Sequence, residues 1–393
     1  MPISKQILEQ MERSSWIRKM FETGNELKRQ YGPENVYDFS LGNPNVPPPK
    51  QFFKTLKKLC RVNPPGIHGY MTNAGYPEYR ARVAEYFSKE HGVKIEKEQI
   101  IFSCGAGGGL NVILKTLLNP GDEIVVPVPY FMEYNFYITN HGGRVVTVPC
   151  REDFDLDPAA IAETITEKTA AVLINSPNNP SGAVYPEKTI RELGTLLEEK
   201  SRELDRTVYL LSDEPYRKIV FDGMTVPSIL AAYRNSIAVT SHSKDLSIPG
   251  ERIGYIAVHP EAEDGENIIN GAILCTRILG FVNAPALMQR TAGELAGVSI
   301  DPGVYQRKRD LLCDGLRNCG YEFTVPKGTF YLLPKAPGGD ELAFIQALQR
   351  ERILAVPGKG FGLPGYFRLA FCVDDSTIEG ALPGFARAIE QAE

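Results

Sequence analysis

Six short apolar runs, each closed by Gly, Pro, Asn or Asp, recur through the middle of the chain with segments of helical period between them. They occupy 99–102, 123–126, 144–148, 170–174, 207–211 and 236–240. Within each run the hydrophobic residues are continuous rather than alternating, the pattern of strands buried on both faces. A mainly parallel sheet covered by helices, an α/β fold, is the architecture this predicts. Residues 252–258 supply one more strand, and helical spacing dominates from about 265 to 318. A shorter mixed pattern follows, with strands expected at 329–333 and 366–371. A chain of 393 residues exceeds what one core usually serves. The expected layout is therefore an N-terminal arm over 1–45 that joins the small domain, a large domain over 46–285 and a smaller α+β domain over 286–393.

Composition removes several classes of function. The formal charge is −5 with no basic block, which gives nucleic acid or anionic lipid little to hold. No apolar run approaches the roughly 18 residues of a spanning helix, and the start lacks the apolar core of a signal peptide. A cytoplasmic address is the default expectation, with no membrane partner. Seven scattered cysteines never form C-x-x-C, so neither a disulfide framework nor a metal site is indicated, and reduced thiols are expected.

In open α/β sheets ligands sit beyond the carboxyl ends of the strands, so the residues after each run carry the functional information. Residues 101–102 lead into Ser103-Cys104-Gly105-Ala106-Gly107-Gly108-Gly109 and then a helical pattern. Backbone N–H groups and the helix dipole at such a turn receive a phosphate. A tight strand-to-helix turn accounts for the glycines equally well on steric grounds. No Lys-Ser or Lys-Thr follows, which excludes a P-loop. The run at 170–174 leads into Asn175-Ser176-Pro177-Asn178-Asn179-Pro180-Ser181-Gly182, and that at 207–211 into Ser212-Asp213-Glu214-Pro215-Tyr216. After 236–240 stand Ser241-His242-Ser243-Lys244, with Arg252 eight residues beyond the lysine. Each piece has an ordinary structural explanation, as a turn, a helix cap or a solvated charge. Their order along one sheet does not.

The combination of Asn179-Pro180-x-Gly182, Asp213-x-x-Tyr216, Ser241-x-Ser243-Lys244 with Arg252, and Arg368 in Phe367-Arg368-Leu369 resembles the class I/II aminotransferases of the aspartate aminotransferase superfamily, which are fold-type I pyridoxal-phosphate enzymes. The resemblance covers almost the whole chain. It implies pyridoxal 5'-phosphate as cofactor, held as a Schiff base on Lys244, and exchange of an amino group between an amino acid and a 2-oxo acid. It implies that Lys244 also moves the proton at the substrate α-carbon, that Asp213 pairs with the pyridinium nitrogen, and that Tyr216 and Asn179 hydrogen-bond the phenolate oxygen. The phosphate would meet the backbone of Ala106 and Gly107, the hydroxyls of Ser241 and Ser243, Arg252 and Tyr70. Phe131 would stack on the ring; a core aromatic is the alternative for that position. Arg368 would bind the substrate α-carboxylate, helped by Asn179 and the backbone at Gly42. It also implies a homodimer with shared active sites, because the stretch beginning at Tyr70 matches the one whose leading tyrosine reaches the neighbouring subunit.

One position departs from the pattern. Some aspartate-specific bacterial members carry a lysine where this chain has Gly107, which puts dicarboxylate specificity in doubt; Arg18 is a candidate substitute. Two other functions remain open on sequence: a pyridoxal-phosphate lyase catalysing β-elimination on the same fold, and a non-catalytic ligand-binding module.

Overall fold

The computed structural model describes residues 3–13, 15–62 and 64–391, the side chains of 12–21 excepted. The chain divides into two compact units, one of residues 44–304 and 327–329, the other of 1–43, 305–326 and 330–393.

The first unit is built on a seven-stranded sheet. Its strands are β1 (Ile100–Ser103), β2 (Glu123–Val128), β3 (Arg144–Pro149), β4 (Thr169–Asn175), β5 (Tyr209–Asp213), β6 (Ser236–Ser241) and β7 (Gly254–Val258). They lie in the order β1-β7-β6-β5-β4-β2-β3. All neighbours are parallel except β7, which runs antiparallel to both β1 and β6. Alternate residues of one strand enter two separate cores, which is why the runs are apolar throughout. On β4, Val172 and Ile174 pack with Leu193 and Leu197 of the helix Glu187–Glu203. Ala171 and Leu173 face the other way, toward Leu110 and Ile113 of the helix Gly105–Leu117 and Ala272 of the helix Gly265–Ile278. Burial of this kind contributes about 25 cal/mol per Å² of apolar surface, so both layers hold the sheet.

The expected boundary near 285 falls at 304 instead. The helix Ala286–Glu294 belongs with the first unit because its buried polar residues are committed there. Gln289 accepts the Tyr76 N–H at 3.0 Å, and Arg290 donates to the Tyr76 hydroxyl at 2.8 Å.

The second unit holds a parallel pair, Tyr37–Asp38 with Ile353–Leu354, and a three-stranded antiparallel sheet of Val356–Pro357, Phe367–Ala370 and Tyr331–Leu332. The helices Glu341–Arg350 and Asp375–Glu390 accompany these strands. Among the described residues no helix is long and apolar enough to cross a membrane, and no cluster of three or more His, Cys, Asp or Glu is placed to hold a metal ion. The seven cysteines are free.

Candidate active site

Sheet register gathers the informative loops at one edge. Asn175 pairs with Asp213 across β4 and β5, Asp213 with Val239 across β5 and β6, and Gly254 with both Ser241 and Ser103. The carboxyl ends of β1, β4, β5 and β6 therefore line up side by side.

Asp213 is the last residue of β5 and only 5% exposed. Its Oδ2 accepts the Tyr134 hydroxyl at 2.6 Å, and its backbone carbonyl accepts Asn175 Nδ2 at 2.7 Å. Oδ1 is buried and has no hydrogen-bond partner among the described residues. Burial pushes the carboxyl up to about 7, the Tyr134 bond works against that rise, and the neighbouring Glu214 adds to it. A carboxylate oxygen left unpaired in the interior is costly, so the site is built for a donor or positive charge that a ligand brings. The ring nitrogen of a pyridine cofactor fits that requirement.

Lys244 stands on a four-residue helical turn, His242–Asp245, directly after β6. Its Nζ lies 5.8 Å from the centre of the Tyr216 ring, and Tyr216 is buried two residues beyond Glu214. Ser241 and Ser243 are buried on either side of that turn's first residue. Asn179 is buried as well, its N–H donating to Asn175 Oδ1 at 2.7 Å. Asn175 thus ties the Asn179 loop to the Asp213 strand end with one amide.

The helix Gly105–Leu117 begins with Gly105 at φ +73°, a conformation that favours glycine. A Cβ there would lie 2.6 Å from Arg252 Nη2, so the guanidinium sits against the start of the helix. Arg252 itself has φ 51°, left-handed for a non-glycine residue, and its Nη1 donates to the Pro249 carbonyl at 2.8 Å. A fixed cation and the first-turn N–H groups of Ala106 and Gly107 share one place, which suits a phosphate. Gly107 faces the Tyr137 hydroxyl, 3.0 Å from where its Cβ would be.

Phe131 is half-buried, its ring edge-on to Tyr134 at 5.6 Å. Tyr134 and Asn175, which hold Asp213, were not among the expected site residues. Spacing of three from Phe131 into the helix Glu133–Thr139 was the available signal, but a tyrosine among apolar residues reads as core.

Tyr70 is 93% exposed, although Thr72 and Asn73 beside it are anchored: the Thr72 carbonyl accepts Asn283 Nδ2 at 2.9 Å, and Asn73 Nδ2 donates to the Val282 carbonyl at 2.7 Å. Arg368 and Gly42 belong to the second unit. There the Arg368 guanidinium lies 4.5 Å from the Tyr331 ring and 4.7 Å from the Phe361 ring, and Nη2 donates to the Ser40 carbonyl at 2.8 Å. A Cβ at Gly42 would collide with the Tyr331 hydroxyl, so backbone alone fits beside that ring. Arg18 carries no structural account, its side chain lying outside the described ones.

The family model described as aminotransferase class I and II matches residues 34–384. The chain belongs to that family. Its members transfer amino groups, and this chain is an aminotransferase acting on an amino acid and a 2-oxo acid. It is 31% identical to an aspartate/prephenate aminotransferase of Thermus thermophilus over 375 residues, 93% of this chain and 94% of that protein. An LL-diaminopimelate aminotransferase of Dehalococcoides mccartyi is 30% identical over 378 residues, 93% of this chain and 94% of that one. Among solved structures, an amino transferase from Eubacterium rectale superposes with a TM-score of 0.96 at 38% identity, covering 100% of each chain. The family's α/β fold, a large mainly parallel sheet flanked by helices, is the fold observed.

Proposed function

We propose that this aminotransferase uses pyridoxal 5'-phosphate held on Lys244, and that the residues gathered at the sheet edge are its cofactor site. The observation that carries the reading is Asp213, a buried carboxylate whose Oδ1 waits for a positive partner at the strand end beside Lys244. When bound, the cofactor supplies an electron sink for the pair released as the amino acid α-C–H bond breaks.

The chain's own residues do the rest. Asp213 keeps a negative charge at the ring nitrogen, and Tyr134 keeps Asp213 charged and correctly turned. Tyr216 and Asn179 bring two hydrogen-bond donors to the same pocket. The Gly105–Leu117 helix start, with Ala106, Gly107, Ser241, Ser243 and Arg252, receives the phosphate, while Phe131 covers the ring. Once substrate has displaced it, the Lys244 amine takes the α-proton and returns it on the other side of the exchange. Arg368, pre-oriented by two aromatic rings and the Ser40 carbonyl, receives the α-carboxylate with a bidentate fork. Gly42 leaves room for backbone contact beside it.

The same reading makes the active unit a homodimer in which Tyr70 serves the partner's phosphate. What supports it is an aromatic side chain held out into solvent from an anchored backbone. With Gly107 opposite the Tyr137 hydroxyl rather than a lysine, dicarboxylates have no cation in this turn, and we propose a preference that is not restricted to aspartate and glutamate.

Borohydride reduction of the loaded protein should fix the cofactor to the peptide containing Lys244, and Lys244→Ala should lose at least about four orders of magnitude in transamination. Amino acid alone should convert the bound aldehyde to the amine form once per site. Labelling of another lysine would end the assignment, and steady release of pyruvate and ammonia would identify a lyase.

A further inference from the structure

A turn of four residues cannot hold itself, because the first helical turn fixes several dihedrals for one hydrogen bond. The His242–Asp245 turn is held by a cluster of buried polar side chains that takes no part in the site described above. The Asp245 carboxylate accepts the Leu246 N–H at 2.7 Å and lies 3.0 Å from His242 Nδ1 and 3.4 Å from Lys218 Nζ. Its backbone carbonyl accepts the Ile300 N–H at 2.7 Å. Lys218 lies 4.6 Å from the centre of the Tyr86 ring.

The other charged groups around this cluster are engaged elsewhere. Glu214 accepts Ser212 Oγ at 2.8 Å and Arg217 Nη1 at 3.1 Å, and Arg217 also approaches Glu90 at 3.7 Å. From the helix Pro77–His91, His91 is stacked on Phe87, and burial, with Arg217 nearby, holds its imidazole well below the usual range. From β7, Tyr255 contributes a buried phenol whose ionisation burial opposes. Asp245 is held below the usual carboxylate range although burial pushes it up, because His242 and Lys218 outweigh that penalty. Lys218 is raised: its burial works against this, and Asp245, Tyr86 and Glu90 together outweigh that burial.

We infer that Asp245, clamped by Lys218 and His242, is a positioning residue for Lys244: the Lys218–Asp245 pair fixes the turn that carries the lysine and balances the charge next to its amine. The inference rests on the assignment of Lys244 as the cofactor lysine. A buried pair that served stability alone could be replaced by neutral groups without any signature at Lys244. Asp245 directly follows Lys244 on that turn, so the pair cannot lose one charge silently: the lysine's own turn then carries an unbalanced ion in a poorly screened interior.

The test is a charge cycle read by spectroscopy. Lys218→Met leaves an unbalanced anion and Asp245→Asn an unbalanced cation, while the double variant is neutral again. Each protein is loaded with pyridoxal phosphate, and the pH midpoint of its visible absorbance is measured without substrate. Lys218→Met should move the midpoint up and Asp245→Asn down, each by roughly half to one unit, and the double variant should return to within a few tenths of the parent. Both single variants should lose about 3–10-fold in kcat with KM for the amino acid changed less than about twofold, and Lys218→Arg should behave as the parent. If Lys218→Met does not accumulate as folded protein, Lys218→Gln supplies the same upward arm. Unmoved midpoints, or shifts of one sign in both single variants, accompanied only by a lower Tm, overturn the inference. Borohydride separates the two levels: no label on Lys244 in the parent means that the cofactor assignment has failed, whereas a labelled Lys244 with unmoved midpoints condemns only the role of Asp245.

Discussion

Asp213 closes β5 and Asp245 lies just beyond the neighbouring β6; both are buried carboxylates, and their surroundings pull in opposite directions. Asp245 has a lysine, an imidazole and a backbone N–H on its two oxygens, and it is held below its ordinary range. Asp213 has one phenol on Oδ2 and nothing on Oδ1 among the described residues, and burial pushes it up to about 7. An interior carboxylate that is fully partnered belongs to the framework. One that is half-partnered, at a strand end where ligands bind, is destabilising to the empty protein and acceptable only because a ligand completes it.

The widest expected separation between the two lies in catalysis. Asp213→Asn should load cofactor and lose about 10²–10³-fold in kcat, because an amide cannot hold a proton on the ring nitrogen by charge. Asp245→Asn should lose about tenfold at most. Equal losses in the two variants, measured at saturating amino acid and cofactor, would mean that both carboxylates are framework and that the contrast has no functional content.

The Asp213 side of this contrast is legible in the sequence and the Asp245 side is not, and the causes are identifiable. Continuous apolar runs report strands buried on both faces, and Val172 and Ala171 entering opposite cores is that signal made physical. Asp213, Lys244 and Asn179 were legible because strand ends are where ligands bind, so position and chemistry coincide there. Tyr134 was not, since nothing in its local pattern separates a phenol aimed at a carboxylate from one packed in a core. The Lys218–Asp245 pair was hidden for another reason. Its members sit on different loops, and only the β5–β6 register brings those loops together. The helix Ala286–Glu294 announces itself as helix by spacing, but its allegiance depends on where Gln289 and Arg290 find Tyr76, which spacing does not encode.

The second prediction concerns stability against pH without cofactor. Asp213 has a folded-state pKa raised from 3.8 to about 7, so between those values the folded protein binds the proton and the unfolded chain does not. The stability associated with it is fully present below the unfolded value and is lost as pH rises through about 7. Cofactor-free Asp213→Asn, which has no such titration, should therefore gain on the parent through this window, by about 4 kcal/mol across the whole of it. Denaturant midpoints at pH 5 and pH 8.5 measure the difference. Asp245→Asn should instead trail the parent by the same margin at both pH values, because a group held below its ordinary range stabilises throughout this window and stops doing so only in acid below it. A parent and Asp213→Asn pair whose stability gap is the same at both pH values would show that Asp213 is not raised, and the contrast drawn here would collapse.

The smallest expected effect, and the sharpest probe of the half-partnered state, is Tyr134→Phe. The hydroxyl donates to Oδ2 at 2.6 Å, and its own ionisation is held far above the ordinary phenol range by burial and by Asp213, so it remains a donor throughout the working pH range. Removing it takes away one charge-assisted hydrogen bond while leaving the ring in its place. Such a bond contributes about 1.5–3 kcal/mol to the charged form, part of which the cofactor's own charge replaces once bound. The loaded variant should accordingly lose about tenfold in kcat, and the acid limb of its kcat profile should move upward by roughly one unit, because the ionised form of Asp213 has lost a stabilising donor. The upward direction is the diagnostic feature: a packing defect at a buried ring position lowers Tm and the amplitude of the profile without displacing its acid limb. An unchanged acid limb with a normal kcat would leave Asp213 sustained by the cofactor alone and remove Tyr134 from the site.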